Sequence, residues 1–287
     1  MNETRLREIG SFIAYRSPVV AILLLFYVPI LAIVVFSFWT RSGLWMEPAL
    51  SLESYRRLFA IQGGQLLQSF QLGITVGIIA LIMAFPVAYL VTFVSSDFRR
   101  MVILSIFAVP FFVSIFIRNI MWIPILGKNG VVNSSLQAVG LIDEPLRFLL
   151  FSNTSMIIGA LSAFMPFVIF TGWLAMKMID RELLQAASDL GATPITAVRT
   201  VVVPLSMAGL SVGVLFVIAA AMGESIFPLV LGGADAISIG LMTQRSFSQL
   251  NVPLAAAVNV ISIGAYVIAL VVITRFVDLS ELFEVHK

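Results

Sequence analysis

The sequence predicts an all-α integral membrane protein with six transmembrane helices and both termini in the cytoplasm. The first observation is composition: 60% of the residues are hydrophobic and only 11% are charged, where soluble domains carry roughly a quarter. So little charge cannot cover a water-exposed globule, and lipid is the implied solvent. The second is length: six runs of about twenty apolar residues recur, enough for a helix rising about 1.5 Å per residue to cross roughly 30 Å of hydrocarbon. The third is charge asymmetry across the connections between those runs.

The spans are expected at residues 18–39, 69–94, 101–126, 154–176, 205–231 and 254–276 of one transmembrane domain, 1–287. The first carries no charge and follows Arg5, Arg7 and Arg16 without a small-residue cleavage site, so it reads as a retained span and not as a removed signal peptide. The second ends at the polar turn Ser95-Ser96-Asp97-Phe98-Arg99-Arg100. The third is written as one helix although it contains Pro110, Arg118 and Pro124. With a cytoplasmic N-terminus, that side holds Arg5, Arg7, Arg16, Arg99, Arg100, Lys177, Arg181, Arg199, Arg275 and Lys287. The other side holds Arg41, Arg56, Arg57, Lys128, Arg147 and Arg245, a ratio of ten to six. Such a bias places the richer side in the cytoplasm, and an even number of spans returns the chain there. The external connections 40–68, 127–153 and 232–253 are long enough to hold short helices on the membrane surface or to meet an external partner.

Composition also excludes functions. A net charge of +2 with scattered Lys and Arg gives no nucleic-acid footprint. Zero Cys removes thiolate chemistry, and the one His, His286, stands beside the last residue, so no catalytic or metal-binding site is expected.

The longest cytoplasmic connection, residues 177–204, has legible chemistry. Asp180 is placed to cap a helix whose first turn holds Arg181 and Glu182. Leu183, Leu184, Ala187 and Leu190 form one apolar stripe, while Glu182, Gln185, Ser188 and Asp189 face elsewhere. Gly191 suits the left-handed position that ends a helix, and Thr193 with Pro194 starts another. Pro204 marks the approach to the fifth span. A helix this short is marginal alone, so its stripe needs cover from the bundle or from a partner.

Gln185-Ala186-Ala187, three residues, Gly191, nine residues, then Val201-x-Val203-Pro204 resembles the Glu-Ala-Ala loop of binding-protein-dependent ABC transporter permeases. The family's acid is Gln185 here, so an ionic contact becomes a neutral hydrogen bond, with Glu182 one turn earlier. Further segments resemble spermidine/putrescine-type permeases: Val109-Pro110-Phe111 with Arg118 and Trp122, Gly130, Asn133, Gly140-Leu141 and Pro145, then Met165-Pro166-Phe167, then Met222-Gly223-Glu224-Ser225 with Pro228 and Leu231-Gly232-Gly233. The resemblance implies a bacterial inner-membrane import subunit whose loop, through Glu182, Gln185, Ala186, Ala187, Asp189, Gly191 and Pro204, docks in the cleft of a cytoplasmic ATPase. It implies a second, homologous permease subunit, two ATPase subunits holding ATP and Mg²⁺, an external solute-binding protein, and a polyamine or related organic cation as cargo. No Gly-x4-Gly-Lys-Ser/Thr motif is present, so no cofactor is expected in this chain and it is not expected to be an enzyme.

Two charges fall within spans, where each costs roughly 2.5 to 3.5 kcal/mol at a helix centre. Arg118 is 17 residues beyond Met101, about 25 Å along a continuous helix, and Glu224 is 19 beyond Leu205, about 28 Å. They pair with each other, or Arg118 snorkels outward, or Glu224 faces a path for a cation with Arg118 and Trp122 shaping the gate. Phe164, Met165, Trp173, Met222 and Phe227 are candidates to line that path by cation–π contact or to pack. Gly73, Gly77, Gly209, Gly213 and Gly264 read as close helix contacts. Two other classes stay open: a secondary transporter working without an ATPase, which needs midplane ionisable groups, and an intramembrane enzyme, which needs a carboxylate pair.

Overall fold

The structure, a computed structural model, describes residues 3–43 and 45–276, with side chains from Pro18 onward. His286, Lys287 and the side chains of Arg5, Arg7 and Arg16 lie outside it. Among the described residues helices dominate, and five are long and apolar enough to cross a membrane, or six if one sharply bent pair counts as a single span. These residues form two compact units, one from the chain up to Gln62 with Thr243–Ser262, the other from Gly63–Met242 with the chain from Ile263.

In the first unit, α1 (Glu3–Ser37) is exposed around its whole circumference from Pro18 to Leu31. An apolar helix in water would need a partner for those side chains, whereas in lipid it needs only its own backbone hydrogen bonds. It ends in a two-stranded hairpin, β1 (Thr40–Ser42) against β2 (Trp45–Glu47). The turn is pinned to α2 (Glu53–Tyr89) by a 2.7 Å hydrogen bond between Ser37 Oγ and the Tyr55 hydroxyl. The expected external loop 40–68 is therefore half helix: α2 begins sixteen residues before the predicted span, with Glu53 in its first turn.

The second unit holds the main core. α2 continues through a π-helical turn at Leu90–Val94. α3 (Asp97–Ala108) follows and tightens into a 3-10 turn at Val109–Phe112. There the expected third span breaks. Val113 and Ser114 are extended, and the chain bends by 101° before α4 (Ile115–Ile120), α5 (Trp122–Leu126) and α6 (Val131–Ala138). Pro110 supplies a local reason, since it lacks the donor that would continue the ladder.

α7 (Asn153–Lys177) matches the expected fourth span and starts at a capping box made by Ser152 and Ser155. α8 (Arg181–Asp189) and α9 (Pro194–Ala197) form the predicted helix, glycine turn, helix. The fifth span differs at both ends. α9 runs on through a π-helical turn, Val198–Val202, into α10 (Val203–Gly223), so Pro204 lies inside one continuous helix. The widened turn just before it accommodates a residue with no N–H. α10 then stops at Gly223, and α11 (Ile226–Leu231) is a separate short helix. α12 (Ile239–Ser248) occupies the last external connection, and α13 (Val252–Phe276) is the final span, begun by Asn251 accepting from Leu254 N–H at 3.2 Å.

The core is centred on α7 against α10, with α2 and α11 packed around them. Small residues let the helices approach. A Cβ on Gly213 would strike Thr171 Oγ1 and lie 3.0 Å from Val168 Cα, and one on Gly209 would lie 2.9 Å from Thr171 O. Gly73 and Gly77 similarly meet Met222 and Ile218 of α10. Gly264 departs from the expectation, having nothing within 4 Å of the equivalent point. Gly213→Leu is expected to lower stability by about 1–3 kcal/mol through overpacking, read as a lower unfolding midpoint in detergent, while Gly264→Leu leaves the midpoint unchanged.

Candidate functional site

Three regions of the second unit bring polar chemistry to an otherwise apolar bundle. The first is the break in the third span. A broken helix leaves carbonyls without intrahelical donors, and in a membrane those must be met by protein. Arg118 meets them. Its guanidinium donates to the carbonyls of Pro110, of Val113 at 2.9 Å and of Ser162 at 3.4 Å. Trp122 Nε1 donates to Ser162 Oγ at 3.2 Å, tying α5 to the same turn of α7. Asn119, wholly buried, donates to Ile115 O at 2.8 Å. Arg118 and Phe164 share a cavity of about 420 Å³ with Phe111 and Phe167, whose rings lie 4.9 Å apart edge to face.

The second region is the break between α10 and α11. Glu224 does not sit within a helix: it caps one end and begins the next. Its Oε1 accepts from Ser225 N–H at 2.8 Å and Ile226 N–H at 3.0 Å, satisfying amides at the positive end of α11. Ser238 Oγ donates to the Glu224 carbonyl at 2.7 Å, and Gly240 packs directly on Gly223. α11 packs against both α4 and α7, so the two breaks are neighbours in the fold. Depth counted along unbroken helices therefore has no meaning for Arg118 or Glu224. Among the described residues they form no ion pair with each other; each is bound to backbone instead. Met222 and Phe227 are fully buried, Met222 against Gly73 and Phe227 beside Gly159, and neither lines an open cavity.

The third region is α8 and its turn. Asp180 accepts from Glu182 N–H at 3.0 Å, and Gly191, at φ +82°, closes the helix with Ala192 N–H donating to Ala187 O at 3.0 Å. This is a Schellman-type ending, which a Cβ at position 191 would strain. Thr193 Oγ1 then accepts from Thr196 N–H. Leu184 rests on the core, but Leu183 is 47%, Leu190 89% and Ile195 73% exposed. Glu182, Gln185, Ala186 and Asp189 are exposed as well. Half of the stripe is thus covered by the bundle and half is left bare.

Sequence reasoning passed over a polar cavity of about 580 Å³ lined by Gln68, Gln71, Thr75, Asn153 and Asp235 among others. Its signal was present: Gln68, Gln71 and Thr75 stand at i, i+3 and i+7, a polar stripe on one face of a membrane helix.

Residues 84–281 match the family described as binding-protein-dependent transport system inner membrane component. The chain is 31% identical over 243 residues to the spermidine/putrescine transport system permease protein PotB of Haemophilus influenzae, covering 83% of this chain and 84% of that one. To PotB of Escherichia coli it is 29% identical over 242 residues, 83% and 87% of the two chains. In fold it is similar to a chain of a bacterial ABC transporter involved in import of the acidic polysaccharide alginate, with a TM-score of 0.69, 19% identity and 98% of each chain covered.

Removing the guanidinium from the third-span break leaves buried carbonyls unpaired. Arg118→Met is expected to cost about 1–3 kcal/mol, seen as a lower unfolding midpoint in detergent, with Arg118→Lys falling in between.

Proposed function

Because the chain belongs to the family of binding-protein-dependent transport system inner membrane components, we propose that it forms half of the pathway of an ATP-driven importer of polyamines or related small organic cations. That it is a permease subunit of a binding-protein-dependent ABC importer, a multi-pass protein of the bacterial inner membrane and not an enzyme, follows from the family itself. The finer reading gives it both termini and residues 177–204 on the cytoplasmic side. Its partners are a second, homologous permease subunit, two ATPase subunits carrying ATP and Mg²⁺, and an external solute-binding protein seated on the outer connections.

The observation that carries this reading is α8. An amphipathic helix with Leu183, Leu190 and Ile195 bare, hinged at a glycine with positive φ, is built to be covered by something outside the chain. Closure of the ATPases on ATP would move α8, and the continuous helix from Pro194 to Gly223 would carry that movement to Glu224 without a joint. The neighbouring breaks at Ser114 and Glu224 resemble the discontinuous helices around which transporters build their sites. The free oxygen of Glu224 and the aromatic wall of Phe111, Phe164 and Phe167 suit an amine, by charge and by cation–π contact. The names of the similar PotB permeases support polyamine as the cargo.

Purification in detergent is expected to bring an ATPase with the chain. Leu183→Asp with Leu190→Asp should cut its recovery by about tenfold or more, as for central apolar contacts. In proteoliposomes containing the binding protein, radiolabelled putrescine or spermidine should accumulate only with ATP inside. Uptake by the chain alone, without an ATPase, would sink the proposal in favour of a secondary transporter. Glu224→Gln should lower uptake at unchanged complex level; equal uptake would remove Glu224 from the path.

A further inference from the structure

At the opposite end of α7 from its capping box lies a cavity of about 480 Å³, lined by Thr92, Arg100, Trp173, Lys177, Asp180 and Arg181 among others. Three elements deliver its charges: α3 brings Arg100, the last turn of α7 brings Lys177, and the first turn of α8 brings Arg181. Three cations therefore face one lining carboxylate, Asp180, whose Oδ1 is engaged by Glu182 N–H.

Arg and Lys are common at span ends, where they reach toward headgroups. Convergence sets this group apart. Arg100 and Arg181 both donate to one carbonyl oxygen, that of Thr92, at 3.4 and 3.5 Å. Two guanidinium groups at one acceptor repel each other, and Asp97 offsets the charge of Arg100 alone. Arg100 is otherwise fully used, donating to Val91 O at 3.0 Å and pairing with Asp97 at 3.0 Å. Arg181 and Lys177 are not. The Lys177 ammonium has only the Trp173 ring, 5.7 Å from its centroid, and among the described residues no carboxylate pairs with either cation. The indole Nε1 of Trp173, on the same wall, is buried with no hydrogen-bond partner. Exposed Lys177 thus has no acceptor on the protein, exposed Arg181 has only the long contact to Thr92 O, and the buried Trp173 Nε1 has none.

We infer that this cavity binds the phosphate group of an anionic ligand, with Lys177, Arg181 and Trp173 Nε1 as donors and Arg100 as a structural neighbour. A phosphate oxygen accepts several charge-assisted hydrogen bonds at once, which matches the donors that α7 and α8 bring to the cavity. The position at the ends of two membrane helices suits the headgroup of an anionic phospholipid, and basic pockets between spans bind such groups; a soluble phosphate offers the same chemistry. A ligand there bridges the last turn of α7 and the first turn of α8. The consequence for coupling rests on the reading of α8 given above, while the binding itself does not.

The test is native mass spectrometry of the purified transport complex, delipidated and then supplied with phosphatidylglycerol, phosphatidylcholine or inorganic phosphate, without ATP or substrate. Wild type should retain phosphatidylglycerol in preference to phosphatidylcholine, and Lys177→Gln with Arg181→Gln should weaken that retention about tenfold. Lys177→Arg with Arg181→Lys, which keeps both charges, should hold it. Retention that inorganic phosphate fails to displace assigns the site to lipid, and displacement assigns it to a soluble phosphate. Equal retention by wild type and the Gln pair, no preference over phosphatidylcholine together with no phosphate bound, or loss in the charge-keeping pair as complete as in the Gln pair, overturns the inference. Transport is not measured, so a failure of the proposed import function leaves this outcome unaffected.

Discussion

Every backbone amide and carbonyl that enters hydrocarbon must find its partner within the protein, and this one requirement orders the rest of the structure. Where helices are continuous the ladder meets it, and α1 can stand with apolar side chains exposed on all sides. Where helices break, side chains have to meet it instead. Arg118 spans the carbonyls freed at Pro110 and Val113, and Glu224 takes the amides freed at Ser225 and Ile226. The two charges that looked costly in a linear reading are the groups that make the interruptions possible.

This changes what the charges mean. Had they paired across the bundle, each would have cancelled the other and left nothing for a solute. Bound to backbone, Arg118 has its charge spread over three carbonyls, and Glu224 keeps one oxygen outside the N–H contacts of α11. α11 packs on α4, so the carboxylate end of one break and the guanidinium of the other belong to a single interrupted zone beside α7. A path through the membrane needs such a zone, because unbroken apolar helices offer a polar solute no polar surface.

What the sequence showed depended on the range of the interactions. The segment 177–204 was legible residue by residue: Asp180, Gly191, Thr193 and Pro194 act on neighbours within five positions, and all four perform the expected local tasks. The fourth span was read within a residue at each end because its apolar length marks it. The third and fifth were misjudged because hydropathy does not register a bend. One serine, Ser114, in the run Phe111 to Phe116 barely lowers a window's hydropathy, and the break is held by Arg118 reaching back and across to Ser162, a contact 44 residues apart in sequence. For Met222 and Phe227 the packing alternative describes their burial, set by Gly73 and Gly159 on other helices. The early start of α2 was hidden by its polar first turns, which hydropathy counts as loop.

Within α8 the missing family acid can be considered in three dimensions. Glu182 and Gln185 are three residues apart, which on a helix makes them neighbours on the surface. Both are exposed, and among the described residues neither side chain makes a hydrogen bond or an ion pair. A basic group of a partner that approaches Gln185 therefore comes within reach of Glu182 as well. Glu182 also lies in the first turn, where a carboxylate is favoured by the helix dipole and stabilises the helix before any partner arrives. On the proposed docking of α8, a negative charge one turn earlier would move the point of contact toward Asp180 and the end of α7. The partner's push would then be delivered closer to the membrane, at the joint where α7 hands the chain to α8.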